Sequence, residues 1–385
     1  MPAFCRDYSG NKTSIEAMKN APSVIILFLL AGSWVTSMPA RGQALETPSL
    51  KAHTSWPLGV AIGYKPMTSN ATYRNIIIRN FDNVTFEYAL KNGAIVRKDG
   101  SFDYSRSDTL VNLCKKYKLQ VYGHTLCWYQ NNSPYLSTLN GDSAKIEQFL
   151  VRYITTTLKR YKNYIHAWDV VNEAIDSTGQ LRMEGKRRPD YFYWGKYLGV
   201  DYVARAFQYA HDADPKAALF YNDYNLESNP LKLAGVIRMV KQLKESGIPI
   251  NGIGTQMHIT IATPDSGIDR AFRALASTGL FIRISELDIR ENTSEAQSFR
   301  ETPYADSLQA AKWKYVFQSY DRNIPASQRY GITCWNLGTL DSWIPKALHL
   351  PDSPTLFDRS YKPKPAYFAI LNMMRRLKPL QTETN

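Results

Sequence analysis

Apolar runs of strand length recur along the chain, and amphipathic stretches of helical period lie between them. Residues 58–63, 83–87, 119–126, 165–171, 218–223, 252–257, 281–286 and 331–335 read as short buried strands. Residues 143–161, 202–212, 231–245 and 306–322 read as helices with one apolar face. In the first of these helices Ile146, Phe149, Leu150, Tyr153, Ile154, Thr157 and Leu158 follow the i, i+3, i+4, i+7 spacing of a half-buried helix. Eight strands alternating with helices predict an α/β chain folded as a single-domain (β/α)8, or TIM, barrel. No internal repeat, low-complexity tract or linker marks an appended module.

The polar residues sharpen this picture. Glu87 closes the second run, with Lys91 just beyond it, and the third runs into His124 and Trp128. The fourth ends on Asn172-Glu173, the fifth on Tyr221-Asn222-Asp223-Tyr224-Asn225, and the sixth on Gln256-Met257-His258. The seventh carries Glu286 and Asp288, and the eighth ends at Trp335 with Trp343 in the loop that follows. Seven of eight strands therefore deliver polar or aromatic groups to one rim, and in such a barrel the C-terminal rim is the active-site face.

Two glutamates stand out there, Glu173 and, 113 residues later, Glu286. Taken singly, each reads equally well as a surface carboxylate or helix cap. Paired at strand ends, they match what a retaining glycosidase needs: one acid/base and one nucleophile about 5–5.5 Å apart. Glu173 would protonate the leaving oxygen and later activate water, while Glu286 attacks the anomeric carbon. The acid has to hold its proton near neutral pH, which burial and a second carboxylate nearby promote. Asn172 is placed to hydrogen-bond a sugar 2-OH, and His258 and Asp288 to orient and ionise Glu286.

Composition sets the remaining bounds. The 385 residues are 44% hydrophobic and 12% aromatic, enough for one large core. Lys19, the apolar run 24–31 and the small-residue segment ending at Gly42-Gln43-Ala44 read as a secretory signal peptide over residues 1–44. Residues 1–17 precede Met18 and read as an upstream-start artefact, which leaves 45–385 as the catalytic barrel, secreted or periplasmic. Losing residues 1–44 removes four Lys or Arg and two acids, so the net charge falls from +13 to +11. The basic residues are dispersed rather than clustered, so no nucleic-acid module is expected, and no membrane attachment after cleavage. Cys114, Cys127 and Cys334 remain, without CxxC or metal-ligand spacing; buried apolar cysteines are expected, with no metal and no cofactor.

The segments 168–174 (Trp-Asp-Val-Val-Asn-Glu-Ala) and 279–289, ending Ser285-Glu286-Leu287-Asp288, resemble the acid/base and nucleophile signatures of glycoside hydrolase family 10, the β-1,4-xylanase family. Gly123-His-Thr-Leu126 with Trp128, Tyr221–Asn225, Gly254-Thr-Gln-Met-His258 and Lys362-Pro-Lys-Pro-Ala366 extend the resemblance over essentially the whole mature chain. It implies a monomeric endo-1,4-β-xylanase acting on xylan or xylo-oligosaccharides, with Glu173 and Glu286 catalytic and His258 and Asp288 supporting the nucleophile. It further implies that Lys91, His124, Trp128, Asn172, Gln256 and Trp335 line the −1 sugar and its neighbour. Glu87 would hold the −2 sugar, Trp343 would cover the non-reducing side, and Tyr224 would face the leaving group. Three positions depart from the family pattern. Tyr88 replaces an Asn after Glu87, Tyr129 replaces a His after Trp128, and Asn336 replaces a Gly after Trp335.

A β-1,4-glucanase on the same barrel, or a silent glycan-binding relative, are the competing readings. Retention of Glu173, Glu286, Asn172 and His258 argues against the silent one. The leader makes a direct prediction: sequencing the N-terminus of the exported protein finds Leu45 or a close neighbour, and a mature chain starting at Met1 or Met18 would refute it.

Overall fold

The computed structural model describes residues 49–377, so the expected leader at 1–44 lies outside the described residues. Nine strands run in chain order: β1 (Leu58–Ile62), β2 (Asn83–Phe86), β3 (Gln120–Gly123), β4 (Ile165–Asn172), β5 (Ala218–Asp223), β6 (Gly252–Thr255), β7 (His258–Thr260), β8 (Phe281–Arg290) and β9 (Arg329–Cys334). Each of β1 to β5 pairs in parallel with the next, β6 pairs with β8, β8 with β9, and β9 returns to β1. Eight strands thus close a barrel with no free edge, the (β/α)8 architecture expected from the alternating pattern.

Helices pack around it because their apolar stripes match its outer face. The helix Ser143–Tyr161 buries all seven apolar-face positions noted in the sequence, plus Tyr161. The Asp142 side chain starts it by accepting from the Lys145 N–H at 3.1 Å. The helices expected at 202–212, 231–245 and 306–322 form as Tyr202–Ala213, Pro230–Glu245 and Pro303–Asn323. Among the described residues no helix is long and apolar enough to cross a membrane. Cys114, Cys127 and Cys334 are all free and buried, and burial pushes the Cys114 thiol up to about 12.

The departures from the expected strands concentrate at the rim. The run 252–257 breaks after Thr255: Met257 takes a left-handed φ of 60°, and the chain resumes as β7. β7 pairs only with the outer half of β8, setting His258 opposite Asp288. That extra partner lets β8 continue to Arg290, beyond the expected end at residue 286. β3 stops at Gly123, but Leu126 and Cys127 then donate to the Asp169 and Val170 carbonyls across a bulge. Further register shifts fall at Asp169/Val171 and Ile284/Leu287, just before or around the two glutamates. Bulges of this kind re-aim side chains at strand ends.

Gly123 lies opposite Trp168 in the β3–β4 register, and the fully buried indole covers it. A Cβ at Gly123 would fall 2.1 Å from that ring. Gly123→Ala is therefore expected to cost about 1–3 kcal/mol by overpacking, read as a lowered urea midpoint at unchanged slope. An unchanged midpoint would show that the indole yields freely.

Candidate active site

Glu173 is the first residue past β4. Its N–H donates to the Asn222 carbonyl at 2.8 Å, and its φ of 57° lies in the left-handed region. That conformation costs an L-residue roughly 1–2 kcal/mol, and it turns the side chain out of the strand at the barrel mouth. Glu286 sits within β8, its N–H bound to the Gln256 carbonyl at 3.1 Å. Both side chains are buried to within a few per cent of their surface, yet both line one cleft of about 700 Å³.

A web of side-chain amides joins them. Asn222 donates through Nδ2 to Glu286 Oε1 at 2.8 Å and to Asn172 Oδ1 at 2.8 Å, while its own oxygen accepts from Ser285 Oγ at 2.6 Å. Asn172 in turn donates to Glu173 Oε1 at 3.3 Å, and Gln256 Nε2 donates to the same oxygen at 3.0 Å. Gly254 leaves room for this arrangement, since a Cβ there would lie 2.3 Å from Asn222 Oδ1. Asn222 is the residue that sequence reasoning passed over; its signal was only that of one more polar residue at a strand end.

The charge on Glu286 is set by its neighbours. Burial alone pushes the Glu286 carboxyl up, but the His124, His258 and Lys91 side chains outweigh it and hold the group at about 2. His258 Nε2 lies 3.4 Å from Glu286 Oε2, and its Nδ1 lies 2.9 Å from Asp288 Oδ2. Burial disfavours the imidazolium, yet the two carboxylates outweigh burial and push His258 up to about 10. Asp288 thus acts through His258, standing behind it outside the cleft lining, and the same Oδ2 accepts Trp343 Nε1 at 2.8 Å. His124 is fixed in a similar way: its Nδ1 meets Asp169 Oδ2 at 2.8 Å, and Tyr122 OH donates to Asp169 Oδ1 at 2.9 Å. Lys91 is buried with its ammonium 4.4 Å above the Trp128 ring, where Glu286, Glu87 and Glu173 oppose the lowering that burial causes.

Every site residue expected from sequence, Asp288 apart, lines this cleft: Glu87, Lys91, His124, Trp128, Asn172, Glu173, Tyr224, Gln256, His258, Glu286, Trp335 and Trp343. Trp335 forms part of the wall with the His124 and His258 rings edge-on to it at 5.6 and 6.1 Å. Tyr224 is steadied from behind by Lys232, whose ammonium lies 3.3 Å from the ring centroid and 2.7 Å from Asp223. The departures also find local reasons. Tyr129 stacks on Tyr193 at 5.8 Å with Arg182 4.4 Å over its ring, and Arg182 Nε donates to the Glu173 carbonyl at 3.2 Å. Asn336 adopts φ 69°, which asparagine tolerates, and its Oδ1 accepts the Trp343 N–H at 3.1 Å. Tyr88 stands exposed at the cleft wall.

Elsewhere among the described residues, Glu291, Glu301 and Asp306 come close enough together to ligate an ion. The Lys364 ammonium already sits among them at 2.7, 2.9 and 3.1 Å. An ionised carboxylate facing a second carboxyl across a cleft, each fixed by amide donors, is equipped for displacement at a carbon centre assisted by proton transfer.

Residues 48–373 match the sequence profile of Glycosyl hydrolase family 10. Endo-1,4-beta-xylanase A of Caldicellulosiruptor sp. (strain Rt8B.4) is 34% identical over 343 residues, covering 84% of this chain and 47% of that relative. Exoglucanase XynX of Acetivibrio thermocellus is 31% identical over 341 residues, covering 85% of this chain and 29% of the relative. The chain therefore spans about half the length of these curated relatives, or less. Among solved structures, that of the GH10 protein from Paenibacillus barcinonensis superposes with a TM-score of 0.78 at 29% identity, covering 87% of this chain and 99% of that one.

The charge balance at Glu286 can be tested without substrate. A carboxyl held at about 2 is ionised throughout the neutral range, and removing its cationic neighbour has to raise it. In a carbon-13 NMR titration, His258→Asn is expected to move the Glu286 carboxyl up by about one unit or more. An unmoved titration would remove His258 from this role.

Proposed function

The chain belongs to glycosyl hydrolase family 10, and on that premise we propose that it is an endo-1,4-β-xylanase that cleaves internal β-1,4 bonds of xylan with retention of anomeric configuration. The observation that carries this reading is the pair of glutamates in one cleft, with Glu286 ionised between cations and tied through Asn222 and Asn172 to Glu173. Glu286 attacks the anomeric carbon while Glu173 gives its proton to the departing oxygen, which yields a covalent glycosyl-enzyme and a free chain end. Glu173, now a carboxylate, takes a proton from water as that water displaces Glu286. The second step returns both carboxyls to their starting states, and the two inversions at the anomeric carbon give net retention.

The same premise orders the cleft. Lys91, His124, Trp128, Asn172, Gln256 and Trp335 surround the −1 sugar and its neighbour, Glu87 takes the −2 sugar, and Tyr224 faces the leaving group. Trp343, held by Asp288 and tilted against His258 at 5.0 Å, crowds the position where glucose carries the hydroxymethyl that xylose lacks. That favours xylan over cellulose, although one relative bears the name exoglucanase. The likeness to the family supports action as a monomer. With residues 1–44 as a cleaved leader and 45–385 as the mature barrel, the enzyme works outside the cytoplasm, secreted or periplasmic.

The roles separate by mutation. Glu286→Ala abolishes hydrolysis of every substrate. Glu173→Ala collapses xylan hydrolysis but largely spares the first step for an aryl xylobioside with an acidic phenol, which needs little protonation. Deglycosylation then slows, and added azide, which needs no general base, restores turnover and gives a β-xylosyl azide. With Glu286→Ala, azide enters from the opposite face and gives the α product. Reversed stereochemistry would exchange the two assignments, and failure to hydrolyse xylan while cleaving cellulose would replace the substrate.

A further inference from the structure

Past Glu173 the chain doubles back on itself. Ile175 and Leu181 pair as an antiparallel bridge, the Arg182 N–H donates to the Ala174 carbonyl at 2.7 Å, and the Asp176 N–H donates to that of Gln180 at 2.8 Å. The turn between them is tied down from within and from below. Asp176 Oδ1 accepts from the Thr178 N–H and hydroxyl at 2.8 and 2.7 Å. The Ser177 and Gly179 carbonyls accept from Asn229 Nδ2 and Arg238 Nη2 at 2.8 and 2.7 Å. This short hairpin returns Arg182 to the catalytic strand end, where its Nε donates to the Glu173 carbonyl at 3.2 Å. Glu173 holds a left-handed φ of 57°, and such a backbone at a non-glycine residue persists only where its surroundings enforce it. Asn222 takes the N–H of Glu173 and Arg182 takes its carbonyl, so the strained residue is held at both ends.

The guanidinium is placed as a charge as well as a donor. It lies 4.4 Å from the centre of the Tyr129 ring, and Tyr193 stacks on that ring at 5.8 Å. Tyr129 lines the cleft, whereas Arg182 stands outside the lining. Glu173, Asp223 and Asp176 are the carboxylates whose field it meets. The other groups facing Glu173 are Lys91 after β2, Tyr129 after β3, Asp223 on β5 and, in the same cleft, Glu286 on β8. Lys91 divides its charge among Glu286, Glu87 and Glu173, while Arg182 is bonded to the backbone of Glu173 itself. A cation beside a carboxyl favours the ionised form. Arg182 therefore favours Glu173 as a base and limits, on the alkaline side, its service as an acid.

We propose that Arg182 is a positioning residue of the reaction: it clamps Glu173 in its left-handed turn and, through its charge, sets the alkaline limit of the proton-donating step. This rests on the xylanase reading above, in which Glu173 gives its proton to the departing oxygen. Arg182 acts through Glu173 alone, since the Tyr129 ring lies between it and the cleft. Its effect is confined to steps in which that carboxyl gives or takes a proton, and the attack by Glu286 does not depend on it.

The test compares phenyl and 4-nitrophenyl β-xylobioside, which fill the same part of the cleft and differ in how far the departing oxygen needs a proton. Arg182→Met is expected to lower kcat/KM about tenfold on the phenyl substrate and less than about threefold on the nitrophenyl one. The alkaline limb of the phenyl pH profile moves up by about half a unit to one unit, because the neutral side chain no longer favours ionised Glu173. The acidic limb, which reads Glu286, stays in place. Arg182→Lys keeps the charge and returns the alkaline limb to its wild-type position. Arg182→Gln, neutral but still a donor, moves that limb in the same direction as Arg182→Met and carries the test if Arg182→Met does not fold. Equal losses on the two substrates would leave Arg182 a support of the fold and overturn the proposal. So would an alkaline limb that stays put in both neutral variants, or one that moves just as far in Arg182→Lys; wild-type cleavage of both xylobiosides would then keep the xylanase reading intact. No cleavage of either xylobioside by the wild type would overturn that reading and the proposal with it.

Discussion

The side-chain amide of Asn222 is the contact on which the geometry of the site depends. An amide nitrogen has two protons, and here one goes to the Glu286 carboxylate and the other to Asn172, the neighbour of Glu173. Its oxygen is taken by Ser285, so the group is satisfied on three sides and its orientation is fixed, because a carboxylate can only accept. Three strands are joined by one planar group: β4 through Asn172, β5 through Asn222 itself, and β8 through Ser285 and Glu286. The bare backbone of Gly254 on β6 is what allows it to lie there. Any of these hydrogen bonds left unmade would strand a buried polar atom, at a cost of about 1–3 kcal/mol.

Around that frame, the protein keeps an ionised carboxylate in a buried place through the side chains set around it. Desolvation opposes the Glu286 charge, and His124, His258 and Lys91 reverse the balance. Each of the three is itself held in place. Asp169 fixes His124, Asp288 fixes His258, and the Trp128 and Trp335 rings flank Lys91 at 4.4 and 5.9 Å. Asp288 also ties Trp343 to the same assembly, so the charge of Glu286 and the shape of the cleft share one anchor. The Lys364 cluster inverts the case. There one buried lysine is shared by three acids, and burial, opposed by Lys364, leaves Glu291 at about 7.

The three departures from the family pattern illustrate how local context decides a residue's meaning. Asn336 keeps the left-handed backbone that a glycine would supply and adds a hydrogen bond to the Trp343 loop. Tyr129 is absorbed into a cluster with Tyr191, Tyr193 and Arg182 on the Glu173 side. Tyr88 alone stays open to the cleft. In the sequence all three were merely mismatches, since nothing in a neighbouring dipeptide shows whether a ring is packed against protein or left bare.

The sequence by itself determined the barrel, the limits of four of its helices to within a few residues, and the rim where the polar residues gather. Those features follow from short-range periodicity, in which apolar runs of period two or 3.6 select their own element and bury one face. It also singled out Glu173 and Glu286, because acids at the ends of apolar strands conflict with simple packing. Only the tertiary structure decided how they are connected. The break after Thr255 that puts His258 opposite Asp288, the Asn222 bridge, and the placing of Asp288 behind rather than inside the cleft all depend on strand register between segments far apart in the chain. Register between distant strands is set by closure of the whole barrel, and a one-residue slip would turn each of these side chains to the other face.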